Sequence, residues 1–366
     1  MSGLRPILLA AGGTGGHLFP AAALAAALKE RGFPVELASD ERAMRYAQDF
    51  PARALHAFPS ATPTGAGALN KARAAVTLGA GVAAALLKLR RIRPRVVVGF
   101  GGYPTVPPLL AASLLRIPVV LHEQNAVLGR ANRFLSPRVS VVACGFPELG
   151  GVDAATRKKV RYTGNPVRPA VVEAAQTPYP DFVGQRLRLL VTGGSQGARV
   201  MADVVPVALA LLKPDERQWI RLTMQARGED KARVAAACAR LDYPVEVAEF
   251  FPDLPARIAA SHLVVGRAGA STVSELAVIG RPSVLVPFPH ALDQDQAANA
   301  GALAASGGAV VVPQAEFTPE RLAAILRDAL AAPAKLAASA RAARSAGVAD
   351  AAERLAGVVL SAARLA

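Results

Sequence analysis

Residues 11–20 read AGGTGGHLFP: Gly12, Gly13, Gly15 and Gly16 flank Thr14, and His17 follows at once. Glycine loses more conformational freedom on folding than any other residue, so four in one turn imply a backbone that something must approach closely. The turn follows an apolar run, ILLA, and leads into an alanine-rich run with Pro20 near its start. That is the strand–turn–helix order of an anion site, because a helix N-terminus offers unpaired N–H groups and the positive end of a dipole. The same dipole disfavours a protonated His17, leaving a neutral imidazole suited to act as a base. Two further turns share the pattern. VTGGSQGAR (191–199) sets Ser195 and Gln196 at a helix start, and GFGGYP (99–104) carries Tyr103. Any one of them could be a tight turn needing positive φ, but three at strand ends point to phosphorylated ligands. The dinucleotide fingerprint GxGxxG fails, since counting from Gly13 its last position is Leu18, and no GK[ST] follows. Asp40, placed to hold a ribose, is the one support for a nicotinamide reading.

Other groups could also do chemistry. In LHEQN (121–125), strand alternation aims Glu123 at the ligand and turns His122 into the packing, so His17 and Glu123 are the candidate bases. Arg168 in GNPVR is a fixed positive charge, suited to a diphosphate or to an ion pair at a domain seam. STVSELAVIGRP (271–282) reads as a helix ended by Gly280, with Thr272 and Glu275 spaced as a capping box. The DxD-like triplet Asp293-Gln294-Asp295 lies in PFPHALDQDQAAN and is read as solvated loop. His56, His262 and His290 have no evident partners and are assigned to core or loop.

These groups need elements to hold them. Strands are expected at 6–10, 35–39, 96–100, 119–123 and 139–144, and again at 187–193, 220–225, 245–250, 262–266, 283–288 and 308–313. Continuous apolar strands separated by helices imply parallel sheets covered on both faces. The fold class is therefore α/β, two doubly wound Rossmann-like domains facing a cleft, with every glycine motif at a strand's carboxyl end. With 366 residues, two domains are expected. Their bounds are set at 1–163 and 164–344, with a last helix at about 345–366 belonging to the second or packing back on the first. The formal charge of +15 suggests an anionic partner, but no nucleic-acid-binding signature accompanies it. Cys144 and Cys238 form neither a disulfide framework nor a metal spacing. No signal peptide is expected, and the apolar run at 74–87 is short for a bilayer span.

In this order and spacing, GGTGGH, GFGGYP, LHEQN, GNPVR, GGSQGAR and GRAGASTVSE resemble the MurG family of bacterial N-acetylglucosaminyltransferases, nearly end to end. The resemblance implies a GT-B fold and inverting transfer of N-acetylglucosamine from UDP-N-acetylglucosamine. The acceptor it implies is the C4 hydroxyl of the muramoyl sugar of undecaprenyl-diphospho-muramoylpentapeptide (lipid I), and the product lipid II. It places donor contacts on Thr14, Gly15, Gly16, Asn125, Arg168, Ser195, Gln196 and Phe251, and on the run Ala270, Ser271, Thr272, Val273, Ser274 and Glu275. Gln296 and Asn299 complete the set, with Glu275 on the ribose hydroxyls. Gly13 and Tyr103 fall on the acceptor side, with His17 or Glu123 as base. No resident cofactor or metal is implied. Implied partners are the two substrates, an anionic membrane surface and other cell-wall or division proteins, at the cytoplasmic face of the inner membrane. The chain departs from the family at Ala268, where serine is common, and at Ser271, where leucine is familiar. A UDP-N-acetylglucosamine 2-epimerase of the same fold would need several carboxylates for proton transfer. A nucleotide-sugar sensor would have no use for His17, Tyr103 or Glu123.

Overall fold

Runs such as ILLA and VVVG have no polar face, so each must be covered on both sides. The structure, a computed structural model, describes residues 4–12, 15–41, 49–61, 68–182, 184, 186–194, 197–241 and 245–365. The chain divides into two units, Met1–Arg168 with Ala349–Ala366, and Pro169–Val348.

The first unit holds β1 (Ile7–Ala10), β2 (Val35–Ser39), β3 (Ala54–Ala57), β4 (Val96–Gly99), β5 (Val119–Glu123), β6 (Val141–Cys144) and β7 (Val160–Tyr162). They form one sheet in the order β3-β2-β1-β4-β5-β6-β7, with every neighbouring pair parallel. Its main helices are α1 (Gly15–Glu30), α2 (Ala68–Ile92), α3 (Val106–Leu114) and α4 (Arg130–Leu135). The period of two along β1 separates two cores. Ile7 and Leu9 pack with Leu24 and Leu28 of α1, and with Leu355 and Val359 of the C-terminal helix Ala351–Ala362. Leu8 and Ala10 pack with Ala85 and Leu89 of α2 and Leu109 of α3. The C-terminal helix is thus part of this unit, tied also by an Arg31–Glu353 ion pair.

In the second unit β8 (Leu187–Thr192), β9 (Ile220–Gln225), β10 (Val245–Ala248), β11 (Leu263–Gly266), β12 (Ser283–Leu285) and β13 (Ala309–Val311) are again parallel, in the order β10-β9-β8-β11-β12-β13. The helices used below are α5 (Arg199–Ala210), α6 (Gly228–Ala239), α7 (Leu254–Ala260), α8 (Ala270–Ile279) and α9 (Asp295–Ala305). In each sheet the strand order reverses once, between β1 and β4 and between β8 and β11. Such a reversal splays the flanking loops apart and leaves a crevice at the strands' carboxyl ends, where ligands of doubly wound sheets bind.

Two strands escape the sequence reading, β3 and β7. Both are sheet edges, and ALHA and VRY lack the continuous apolar run that marks a central strand. Helix α2 is also longer than its apolar run. Basic residues extend it to 25 residues, and Ala72–Ile92 is long and apolar enough to cross a membrane by length and composition. Its Ala74, Ala85 and Leu89 are nevertheless buried within the first unit.

Candidate active site

At the reversal of the first sheet, the loops after β1 and β4 close on the His17 ring. A Cβ on Gly12 would lie 3.2 Å from His17 Nδ1 and 3.3 Å from the Gly101 carbonyl oxygen. Gly101 (φ +87°) and Gly102 (φ +78°) adopt a conformation that side chains disfavour, and a Cβ on Gly101 would come within 3.5 Å of His17 Nε2. The glycines are therefore seats for an imidazole. Burial pulls its pKa down to about 4, so His17 is neutral at physiological pH. Gly13 and Thr14 lie outside the described residues. Gly15 and Gly16 open α1, and a Cβ on Gly15 would meet the Phe19 ring at 3.0 Å. The Arg168 guanidinium sits 4.9 Å over that same ring, which places it in the first unit beside the start of α1. Tyr103 follows Gly102 in a half-buried turn.

Glu123 does not face open space. It is 2% exposed and both its oxygens are taken. Oε1 accepts from the Asn125 backbone N–H (3.0 Å) and from Asn125 Nδ2 (3.3 Å), and Oε2 from the Gly129 N–H (2.9 Å) and Asn132 Nδ2 (2.8 Å). Burial pushes the carboxyl up from its ordinary value, against these four donors that hold it down. Glu123 thus ties β5 to the loop 124–132, and Asn125 is part of the tie. Asn132 escapes the sequence reading because it lies on α4, nine residues beyond Glu123, in no motif. His122 is fully buried, donating from Nε2 to the Gly164 carbonyl (3.2 Å) and accepting from Gln124 on Nδ1 (3.0 Å).

The reversal of the second sheet brings together the loops after β8 and β11. Ser195 and Gln196 lie outside the described residues. On either side, Gly194 (φ +77°) and Gly197 (φ +67°) turn the chain into α5, whose cap Ala198 gives no side-chain bond. The expected capping box of Thr272 and Glu275 is not formed. Helix α8 starts earlier, at Ala270, with Gly269 in the cap position and no side-chain acceptor, so Thr272 stands third within the helix. The first-turn N–H groups of α8 therefore lack a side-chain cap, as an anion site requires. Ser271, Thr272 and Ser274 are half-buried, whereas Ala270, Val273 and Glu275 are buried.

Side chains from α9 and from the approach to α8 fix the loops after β11 and β12. Asn299 of α9, fully buried, donates to the Ala268 carbonyl (3.2 Å), and Gln296 Oε1 accepts from the Phe288 N–H (3.0 Å). Arg267 reaches the carbonyls of Val286 and Pro287 (3.1 and 3.2 Å) and Gln314 Oε1 (2.6 Å). Phe251 is buried under the Arg257 guanidinium, 4.3 Å from its ring. The triplet departs from the solvated loop expected of it. Asp293 and Asp295 are half-buried, and burial with the neighbouring Asp293 charge pushes the Asp295 carboxyl up. Asp293 and Gln294 both take φ of 59° in the turn that leads into α9 at Asp295.

Residues 7–144 match the glycosyltransferase family 28 N-terminal domain, and residues 188–355 the C-terminal domain of the same family. The chain is 58% identical, over 97% of its length and 96% of the relative's, to the UDP-N-acetylglucosamine--N-acetylmuramyl-(pentapeptide) pyrophosphoryl-undecaprenol N-acetylglucosamine transferase of Methylobacterium sp. (strain 4-46). The chain belongs to the MurG family. The same-named transferase of Rhizobium rhizogenes (strain K84) is 55% identical over 96% of this chain and 94% of its own. The crystal structure of Acinetobacter baumannii MurG superimposes with a TM-score of 0.79 at 27% identity, covering 97% of this chain and 99% of that one. A Neisseria meningitidis UDP-GlcNAc 2-epimerase bound to UDP-GlcNAc shares the fold alone, with a TM-score of 0.67 at 13% identity over 97% and 100%. This MurG-family chain thus carries its motifs on two glycine-rich sheet reversals.

The uncapped α8 start separates two roles for Glu275. Glu275→Ala is expected to raise the Kd for UDP-N-acetylglucosamine about tenfold in a variant that still folds. Calorimetric titration beside thermal melts checks this. Unchanged donor affinity with a lowered Tm would make Glu275 a purely structural residue.

Proposed function

We infer that the protein transfers N-acetylglucosamine from UDP-N-acetylglucosamine to the C4 hydroxyl of the muramoyl sugar of undecaprenyl-diphospho-muramoylpentapeptide, with inversion. The observation that carries this reading is the end-to-end identity with transferases of that name. The site chemistry supports it. Displacement at the anomeric carbon needs a base for the incoming hydroxyl and stabilisation of the departing diphosphate. His17 is a neutral imidazole seated at the first sheet's reversal. In the second unit, the starts of α5 and α8 offer N–H groups to the diphosphate, and Glu275 the carboxylate for the ribose. The hydroxyl proton passes to His17, the hydroxyl oxygen attacks the anomeric carbon, and UDP leaves from the opposite face. Incubation with radiolabelled UDP-N-acetylglucosamine and a lipid I analogue should yield a labelled disaccharide. Release of free 2-epimerised sugar instead would point to the epimerase reading.

The lipid-linked acceptor calls for a protein that works at the cytoplasmic leaflet. One face of α2 supports peripheral docking there. Val76 and Leu87 are 73% and 66% exposed, with exposed Ala80 and Ala83 on the same helical face. Exposed Lys88, Arg90, Arg91 and Arg93 follow at its end. Each basic residue near anionic lipid contributes about 1 kcal/mol, and the apolar face adds burial. Replacing Arg90, Arg91 and Arg93 with glutamine should weaken binding to anionic vesicles about tenfold or more and flatten its salt dependence. Activity on a short-chain soluble acceptor should be spared. Unchanged vesicle binding in a sedimentation assay would refute the docking face.

A further inference from the structure

Gln225, the last residue of β9, is 8% exposed and uses its whole amide. Its Oε1 accepts from the Thr192 hydroxyl (2.8 Å) and from the Gly193 N–H (3.2 Å). Its Nε2 donates to the carbonyls of Gly194 (3.1 Å) and Glu249 (3.1 Å). Thr192 Oγ1 in turn accepts from the Gly194 N–H (3.3 Å). One amide therefore joins the glycine loop after β8 to the loop after β10, across the strand that separates them.

Both loops are closely packed beside the amide, while a Cβ on Gly194 would meet open space. A Cβ on Gly193 would fall 2.2 Å from the Ala198 nitrogen, and one on Gly197 2.5 Å from Arg227 Cγ. On the other side, a Cβ on Gly228 would come within 3.3 Å of the Glu249 carboxylate. The first loop leads into the uncapped start of α5, and the second into the Phe251 turn before α7. We propose that Gln225 is a positioning residue of the donor site, locking these two loops into one surface so that UDP meets both in register. It touches no reacting atom and acts through the backbone of Gly193, Gly194 and Glu249. The amide does this in one piece, because three of its bonds hold the loop after β8 and the fourth, from Nε2, reaches the Glu249 carbonyl after β10. A buried amide with every valence used holds its neighbours rigidly.

The inference rests on the second unit being the UDP-sugar site, so calorimetry with UDP on the unmodified enzyme comes first. No binding there overturns both readings. Where the unmodified enzyme binds UDP, Gln225→Glu keeps the two accepted bonds but sets an oxygen against the two carbonyls. It is expected to raise the Kd for UDP and the donor KM about tenfold or more, with kcat within about threefold. Thr192→Val removes one strut at constant shape, and its expected loss is about threefold. Thr192→Val decides the matter if Gln225→Glu does not fold. A purely structural role would lower Tm and leave the donor KM of the folded enzyme unchanged. UDP affinity within about twofold of the unmodified enzyme in the folded variant overturns the proposal.

Discussion

His17→Ala is expected to lower kcat by about two to four orders of magnitude, with the Kd for UDP changed by no more than about twofold. The expectation follows from the seat of the ring. Gly12, Gly101 and Gly102 leave room for an imidazole at the first sheet's reversal and for nothing else attached to them. The ring's pKa of about 4 gives the proton-transfer step a pH signature. The acid limb of kcat/KM should fall toward pH 4, not at the ordinary 6.5, since the imidazole stays neutral down to that range. The stability consequence has a definite sign. The folded pKa lies below the unfolded one, so the unfolded chain takes up a proton first as pH falls from about 6.5 to about 4. The contribution of His17 to stability is thus full above that window and is lost through it. His17→Ala should be less acid-sensitive across the same window. Steady-state rates and melts from pH 4 to 8 check both. Turnover within about threefold of the unmodified enzyme would remove His17 from the chemistry.

Glu123→Ala is expected to fail differently. Deleting the carboxylate leaves the N–H groups of Asn125 and Gly129 and the amides of Asn125 and Asn132 without their acceptor. Buried donors left unpaired cost about 2–4 kcal/mol together, or about 5–15 °C in Tm for a unit of this size. Turnover should fall as well, because the loop 124–132 flanks the His17 seat through Asn132 and Gly101. Glu123→Gln keeps one acceptor oxygen and should recover part of the Tm. Were Glu123 the base, Glu123→Ala would lose turnover by about 1,000-fold with Tm nearly unchanged, and glutamine would rescue nothing.

The sequence by itself determined the two parallel sheets, because runs such as VVVG and LRLLVT have no polar face and must be covered on both sides. It also determined where the motifs fall, since Gly, Pro and the capping residues punctuate strand ends locally. Gly280, which ends α8 in the left-handed conformation, is legible for that reason. Edge strands were not legible. ALHA and VRY are half-exposed and pair on one side only, with β2 and β6, so neither carries the continuous apolar run of a covered strand. Nor was the division of labour among polar groups. Strand alternation correctly packs His122, but it aims Glu123 at ligand, whereas four N–H donors from the following loop claim its oxygens. Spacing allows a capping box at Thr272, yet the tight exit from β11 starts the helix at Ala270 and leaves its first turn uncapped. Whether a polar side chain binds a ligand or its own backbone depends on which distant loop folds over it, and only the tertiary structure decides that.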